Sequence, residues 1–250
     1  VSGLQYAVEK AAKANASLSK NERIQIWVAG GTYTDIKGFV IRDKVVVSGG
    51  FPNNGNPGET ERIPLLSQSF KPADKYLSLD RTKYETILQV SSQYLWNSNG
   101  QLNPISFAGL SQFRKTVLYQ PDVCLPTRCP AGGDLGGDKD GDSNTYRYTT
   151  PTTYPDYVEY EGAMWDGFTV QNGLIKDIAA NRDGGAGIRI FRGVTIQNFI
   201  VQNCWNRGSR SRGGGIYCDG SNSYVINTYV IHNNANGANK EADTYGGGMY

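Results

Sequence analysis

The chain has 250 residues and a formal net charge of +2, which gives no global electrostatic argument for a nucleic-acid partner. Charged residues make up 19% of it while Gly numbers 31, a balance that suits turn-rich β structure better than charge-driven disorder. No apolar run reaches the roughly 18 residues a membrane span requires, and Val1-Ser-Gly reads as the start of a mature or trimmed chain.

Residues 2–16 read as an amphipathic helix: Leu4, Ala7, Val8, Ala11 and Ala12 fall on one stripe, with Ser2 as N-cap. Its Ala-rich face is small for a membrane surface, so its expected task is to cap the β structure that follows. Ile24–Val28, Phe39–Ile41 and Val45–Val47 read as strands, punctuated by Gly30, Gly31, Gly38, Gly49 and Gly50. Residues 52–82 are loop-like, and strands return at Thr86–Val90 and Thr116–Tyr119. Residues 120–156 form a long excursion rich in Pro, Gly, Asp and Tyr, either functional or disordered.

Within the excursion, Asp138, Asp140, Asp142 and Asn144 alternate as oxygen donors and could gather around Ca²⁺. Gly141 stands fourth in that run and Thr149 occupies its twelfth position, so this is not an EF-hand loop; a solvated acidic loop is the competing reading. Cys124 and Cys129 could close a small disulfide loop in an exported protein, or remain two thiols. His232 is the sole histidine, which argues against zinc. Cys204 and Cys218 read as buried small hydrophobes.

From Trp165 onward one motif recurs: Phe168-Thr-Val-Gln-Asn172, Phe199-Ile-Val-Gln-Asn203 and Tyr229-Val-Ile-His-Asn233, at steps of 31 and 30 residues. A second recurs between its copies, Gly185-Ala-Gly-Ile188, Gly213-Gly-Gly-Ile216 and Gly246-Gly-Gly-Met249, at steps of 28 and 33. Two motifs alternating at a period near 30 mark a repeat with three short strands per unit. Stacking like strands predicts three inward columns: Phe168, Phe199 and Tyr229; Val170, Val201 and Ile231; and an amide ladder of Asn172, Asn203 and Asn233. In that register Asp166 lies over Gln197 and Asn227, and Trp27 joins the core of the first coil. The last glycine motif stops at Tyr250 inside a coil, so the natural solenoid is expected to continue.

Trp165-Asp-Gly-Phe-Thr-Val-Gln-Asn-Gly173 with its glycine-triplet strands resembles the right-handed parallel β-helix proteins of the pectin-lyase-like superfamily. More narrowly it resembles secreted, Gly-rich repeat proteins of Bacteroidetes-type bacteria and polymorphic outer-membrane adhesins. The opening, Leu4 to Ala11, Ile24 to Tyr33 and Val45 to Phe51, is similar to that family's capping helix and first coil. The resemblance is weak between about 52 and 155. It implies one all-β domain over 1–250, a monomer that is secreted, periplasmic or on the outer cell surface. For activity it implies a glycan-binding module or adhesin, with a polysaccharide lyase or glycoside hydrolase acting on an acidic polysaccharide, or a structural stalk, as alternatives. No catalytic constellation is legible: there is no serine elbow, no paired carboxylates in register, and neither a lyase Ca²⁺–Arg cluster nor a Gly-His-Gly turn.

The stretches after each Asn column, 174–184, 204–212 and 234–245, are expected to vary in length and to lie above one another. They carry Arg182, Asp183, Trp205, Arg207, Arg210, Arg212 and Asp243. Guanidinium groups suit carboxylate or sulfate, and an indole offers a flat face for a sugar ring. A solvated rim of mutually paired charges is the plainer reading.

Overall fold

The computed structural model describes residues 3–15, 18–19, 21–35, 38–53, 62, 84–90, 113–120, 160–176, 184–207, 211–218, 222–236 and 246–250. The excursion with Asp138, Asp140, Asp142 and Asn144, the pair Cys124 and Cys129, and the Ser2 cap lie outside them.

Short strands recur in a fixed order. The first turn of chain supplies β1 (Ile24–Ala29), β2 (Gly31–Thr34) and β3 (Phe39–Val40). The second supplies β4 (Val45–Phe51), β5 (Thr86–Gln89), β6 (Phe113–Lys115) and β7 (Leu118–Tyr119). Then come β8 (Ala163–Asp166), β9 (Thr169–Gln171), β10 (Leu174–Lys176) and β11 (Ile188–Ile190), followed by β12 (Val194–Gln197), β13 (Ile200–Gln202), β14 (Trp205–Arg207) and β15 (Ile216–Cys218). The last turn holds β16 (Tyr224–Ile226), β17 (Tyr229–Ile231) and β18 (Asn234–Ala235), with Met249 bridged to Ile216.

Each strand pairs with its counterparts one turn away, giving four sheets: β1-β4-β8-β12-β16, β2-β5-β9-β13-β17, β6-β10-β14-β18 and β3-β7-β11-β15. Every described pairing is parallel except β6 with β10. Among the described residues the chain therefore builds mostly parallel sheets with one helix, compatible with an all-β solenoid. The third sheet is a correction to three strands per repeat. Leu174-Ile-Lys and Trp205-Asn-Arg are too short and mixed to announce strands; pairing with neighbouring turns makes them so.

The helix α1 (Gly3–Ala14) buries Leu4, Val8 and Ala11 against β1, β3 and β4. Its unexpected member is Gln5, buried although polar. Its Oε1 accepts from Val40 N at 2.8 Å, satisfying a donor on the outermost strand of the fourth sheet, and its Nε2 donates to Glu9 at 2.8 Å. Glu9 in turn pairs with Arg42 at 2.9 Å.

The register corrects the expected columns by one residue. Thr169, Ile200 and Tyr229 share a row, as do Val170, Val201 and Val230. The second step is thus 29 residues, not 30. The Trp165, Phe168 and Phe199 rings pack at 5.3 and 5.7 Å, but Tyr229 does not join them; with Ile231 it packs on Ile200 outside the main core. Matching Tyr229 to Phe199 by aromatic type misled because backbone pairing sets the register. Trp27, expected in the core, is 54% exposed.

The amide ladder is also displaced. Asn172, Asn203 and His232, not Asn233, hold the left-handed corner at φ of 63°, 54° and 53°, and Asn203 is exposed. Asn serves there because it tolerates this backbone, not because it forms an inward ladder. The real Asn ladder runs at the previous corner, where Gly167, Asn198 and Asn227 have φ of 82°, 56° and 45°. Asn227 Nδ2 donates to Asn198 Oδ1 at 2.7 Å, and Asn198 Nδ2 to Asp166 Oδ1 at 2.7 Å. Asp166 accordingly sits beside Gln197 and then Ile226, while Asn227 follows Asn198. A glutamine ladder runs along the second sheet: Gln202 donates to Gln171 and Gln171 to Gln89, both at 3.0 Å, and Gln89 to Thr34 at 3.2 Å.

The glycine triplets have two separate causes. Gly185, Gly213 and Gly246 adopt φ of 68°, 58° and 58°. Gly187 must lack a Cβ because one there would sit 2.6 Å from Gly215 O and 2.7 Å from Val201 Cγ1.

Candidate binding face

The stretches read as stacked variable loops begin as the third sheet, which sets Leu174, Trp205 and Asn234 in one row and Ile175, Asn206 and Ala235 in the next. Leu174, Ile175 and Asn206 are fully buried. Trp205 is half-buried, packed against the core, and its Nε1 is buried with no hydrogen-bond partner among the described residues. The indole is therefore not a free shelf. The Arg207 guanidinium lies over its ring, 5.8 Å from the centroid.

Asn206 ties this strand to the far end of its loop: its Nδ2 donates to Arg212 O at 3.1 Å, and its own carbonyl accepts from Asn236 N at 2.9 Å. Arg212 pairs in parallel with Gly184, so the chain re-enters the stack beside the previous turn. Its guanidinium lies 5.1 Å over the Tyr250 ring, and its Nε has no hydrogen-bond partner among the described residues. Of the sequence-predicted residues, Trp205 and Arg207 meet directly, and Arg212 is joined to them through Asn206. Arg182, Asp183, Arg210 and Asp243 fall outside the described residues.

Arg212 opens onto an array that sequence reasoning missed. Tyr250 stacks on Tyr217 at 5.7 Å and 4°, Tyr217 meets the edge of Phe191 at 6.4 Å and 75°, and Arg189 lies 4.7 Å over Phe191. The signal was present: the residue after each glycine motif's apolar position is Arg189, Tyr217 or Tyr250, one outward column of the fourth sheet. Phe191, Tyr217 and Arg189 are buried, so this stacking of cation on ring holds the Arg189 guanidinium plane within the fold.

The carboxylate of Asp166, at the end of β8 in the first sheet, is spoken for. Asp166 is 5% exposed; its Oδ2 takes Arg62 Nη1 at 2.7 Å and its Oδ1 takes Asn198. Burial pushes its pKa up, yet hydrogen bonds from Arg62, Asn198 and Gln197 outweigh that and hold it below the ordinary carboxylate value. Both oxygens are thus engaged within the fold. The Cys204 thiol, buried, is pushed up to about 12 and is chemically inert. Among the described residues no three of His, Cys, Asp and Glu cluster as metal ligands, and no helix is long and apolar enough to cross a membrane. Comparison with known proteins finds no matching family model, no matching curated protein and no matching solved structure.

Proposed function

We propose that this chain is a single right-handed parallel β-helix of the pectin-lyase-like kind, secreted or displayed on the outer cell surface, that binds an acidic polysaccharide as a monomer. Right-handed winding follows from the strong preference of parallel crossovers, and the recurring order of the four sheets supports one continuous coil. The observation that carries the binding reading is the pair of guanidinium groups set on aromatic rings, Arg207 on Trp205 and Arg212 on Tyr250, joined through buried Asn206. Planar cations presented from a rigid strand and its return suit carboxylates spaced along a polymer. Asp166, with both oxygens engaged, lends no support to a hydrolase reading.

The test is calorimetric titration with polygalacturonate and with heparin at low and at physiological salt. Weak binding that falls with salt, and that weakens about tenfold in Arg207→Ala/Arg212→Ala, is the expected outcome. Equal binding by that variant moves the site elsewhere, and absorbance from unsaturated uronate during incubation makes the protein a lyase instead.

A further inference from the structure

The outward face of the first sheet carries a large exposed side chain, Trp27. Val45, Val47, Trp165, Val194 and Ile196 of this sheet point into the core with no exposed surface. The opposite parity forms two outward rows, one from Gln25 on β1 to Tyr224 on β16, the other from Trp27 to Ile226. Trp27 is 54% exposed, an unfavourable place for so large an apolar side chain unless something covers it.

The indole is nevertheless fixed. It stacks on Phe51 with centroids 5.1 Å apart and planes 12° from parallel. Phe51 is itself buried, and the Arg62 guanidinium lies over it at 5.8 Å. Arg62 is clamped in turn: Nη1 to Asp166 Oδ2 at 2.7 Å, Nη2 to Asp166 O at 3.0 Å, and Nε to Gly49 O at 2.8 Å. Four residues from four segments thus form a pile whose outermost member presents one ring face to solvent. An exposed Trp held this firmly loses little conformational freedom on binding.

We infer that Trp27 is the stacking platform of a carbohydrate site that takes an uncharged oligosaccharide. Charge decides the class. Asp166 is the sole ionisable carboxylate in the two outward rows, and Arg62 neutralises it at 2.7 Å. A uronate or sulfate finds no counter-charge in these rows, unlike at Arg207 and Arg212. A pyranose ring without charge finds a flat apolar face in the indole. Its hydroxyls find the amide of Gln25, exposed on the same face of β1, and the hydroxyl of Ser48 directly across on β4. The site is separate from the arginine face and stands whether or not that face binds a polyanion.

The experiment is titration of the whole chain with cellohexaose, mannohexaose and maltohexaose, followed by calorimetry and by indole fluorescence. Saturable binding of at least one that persists in high salt, and that weakens about tenfold or more in Trp27→Ala, is the expected result. Arg207→Ala/Arg212→Ala retains it. Trp27→Phe, which keeps a ring, recovers part of the affinity, and matching far-UV circular dichroism shows that the variants fold. Three outcomes overturn the inference: none of the hexasaccharides binds, Trp27→Ala binds as well as the parent, or Trp27→Ala abolishes a self-association seen by sedimentation while no saccharide binds, which would make the face a contact between copies.

Discussion

Asp166 and Asn203 show how a single side chain can be chosen for a reason different from the one its neighbours suggest. With its pKa held below the ordinary value, Asp166 contributes stability that is fully present above about pH 4, where the unfolded carboxyl is also ionised, and is lost as pH falls through the folded value. The melting temperature of the parent should therefore drop on acidification below about pH 4 more steeply than that of Asp166→Asn, and the two curves should converge. Parallel curves in thermal melts from pH 7 to pH 2.5 would remove Asp166 from the acid response. Removing the cation instead, with Arg62→Met, leaves a buried carboxylate facing only amides and should cost about 3 kcal/mol at pH 7 by chemical denaturation. Asn203 is the contrasting case. It is exposed at φ 54°, so Asn203→Gly should leave stability within a few tenths of a kcal/mol, whereas Asn203→Val should cost about 1–2 kcal/mol for the left-handed backbone. Equal losses in both would indicate a side-chain bond of Asn203 that is not found among the described residues.

At the scale of elements, the helix does more than cover apolar surface. Val40 N belongs to an edge strand, and Gln5 supplies its acceptor from a neighbouring element. Gln5→Leu keeps the apolar stripe but orphans that donor, so it should lower stability by about 1–3 kcal/mol; an unchanged denaturation midpoint would mean water replaces the amide. The stripe itself was legible, because Leu4, Val8 and Ala11 recur at helical spacing. Gln5 was not, since a buried polar residue is explained by a partner 35 positions away. The same limit governs the repeat. Strand parity within each motif could be read, and the glycine motifs gave the pairing of Ile188, Ile216 and Met249 correctly. The third sheet and the shortened second step could not, because both are decided by backbone pairing between turns. Composition singled out Trp205, Arg207 and Arg212, which the fold brings together, whereas Trp27, assigned to the core, is exposed. Its parity with Gln25 was the available clue, but β1 alternates apolar residues on both faces, so pattern alone left the choice open.

For the molecule as a whole, parallel stacking makes stability a matter of neighbours. A turn flanked on both sides is held by two interfaces, one at an end by a single interface. The middle turns bury their inward residues completely: Val170, Val201, Phe168 and Phe199 show no exposed surface. The helix makes the first turn resemble the middle, through Gln5, the Glu9–Arg42 pair and Asn15, whose Nδ2 donates to Asp43 O at 2.7 Å. Among the described residues no helix covers the last turn in the same way. Its inward Val225 and Val230 are only half-buried, Tyr224 and Ile226 are exposed, and its tie to the turn before is reinforced by Asn233, which accepts from Cys204 N at 2.8 Å and donates to Val201 O at 2.7 Å. Local opening should follow this gradient, because exchange-competent states are cheapest where few buried contacts are lost. Amide hydrogen exchange followed by mass spectrometry should find β4, β9 and β13 slowest, β1 intermediate, and β16 and β17 fastest in this chain. Asn233→Ala should accelerate β17 and β18 while leaving β9 unchanged. Uniform exchange across all turns, or acceleration of β9 together with β17, would mean that the stack opens as one cooperative unit rather than from its end.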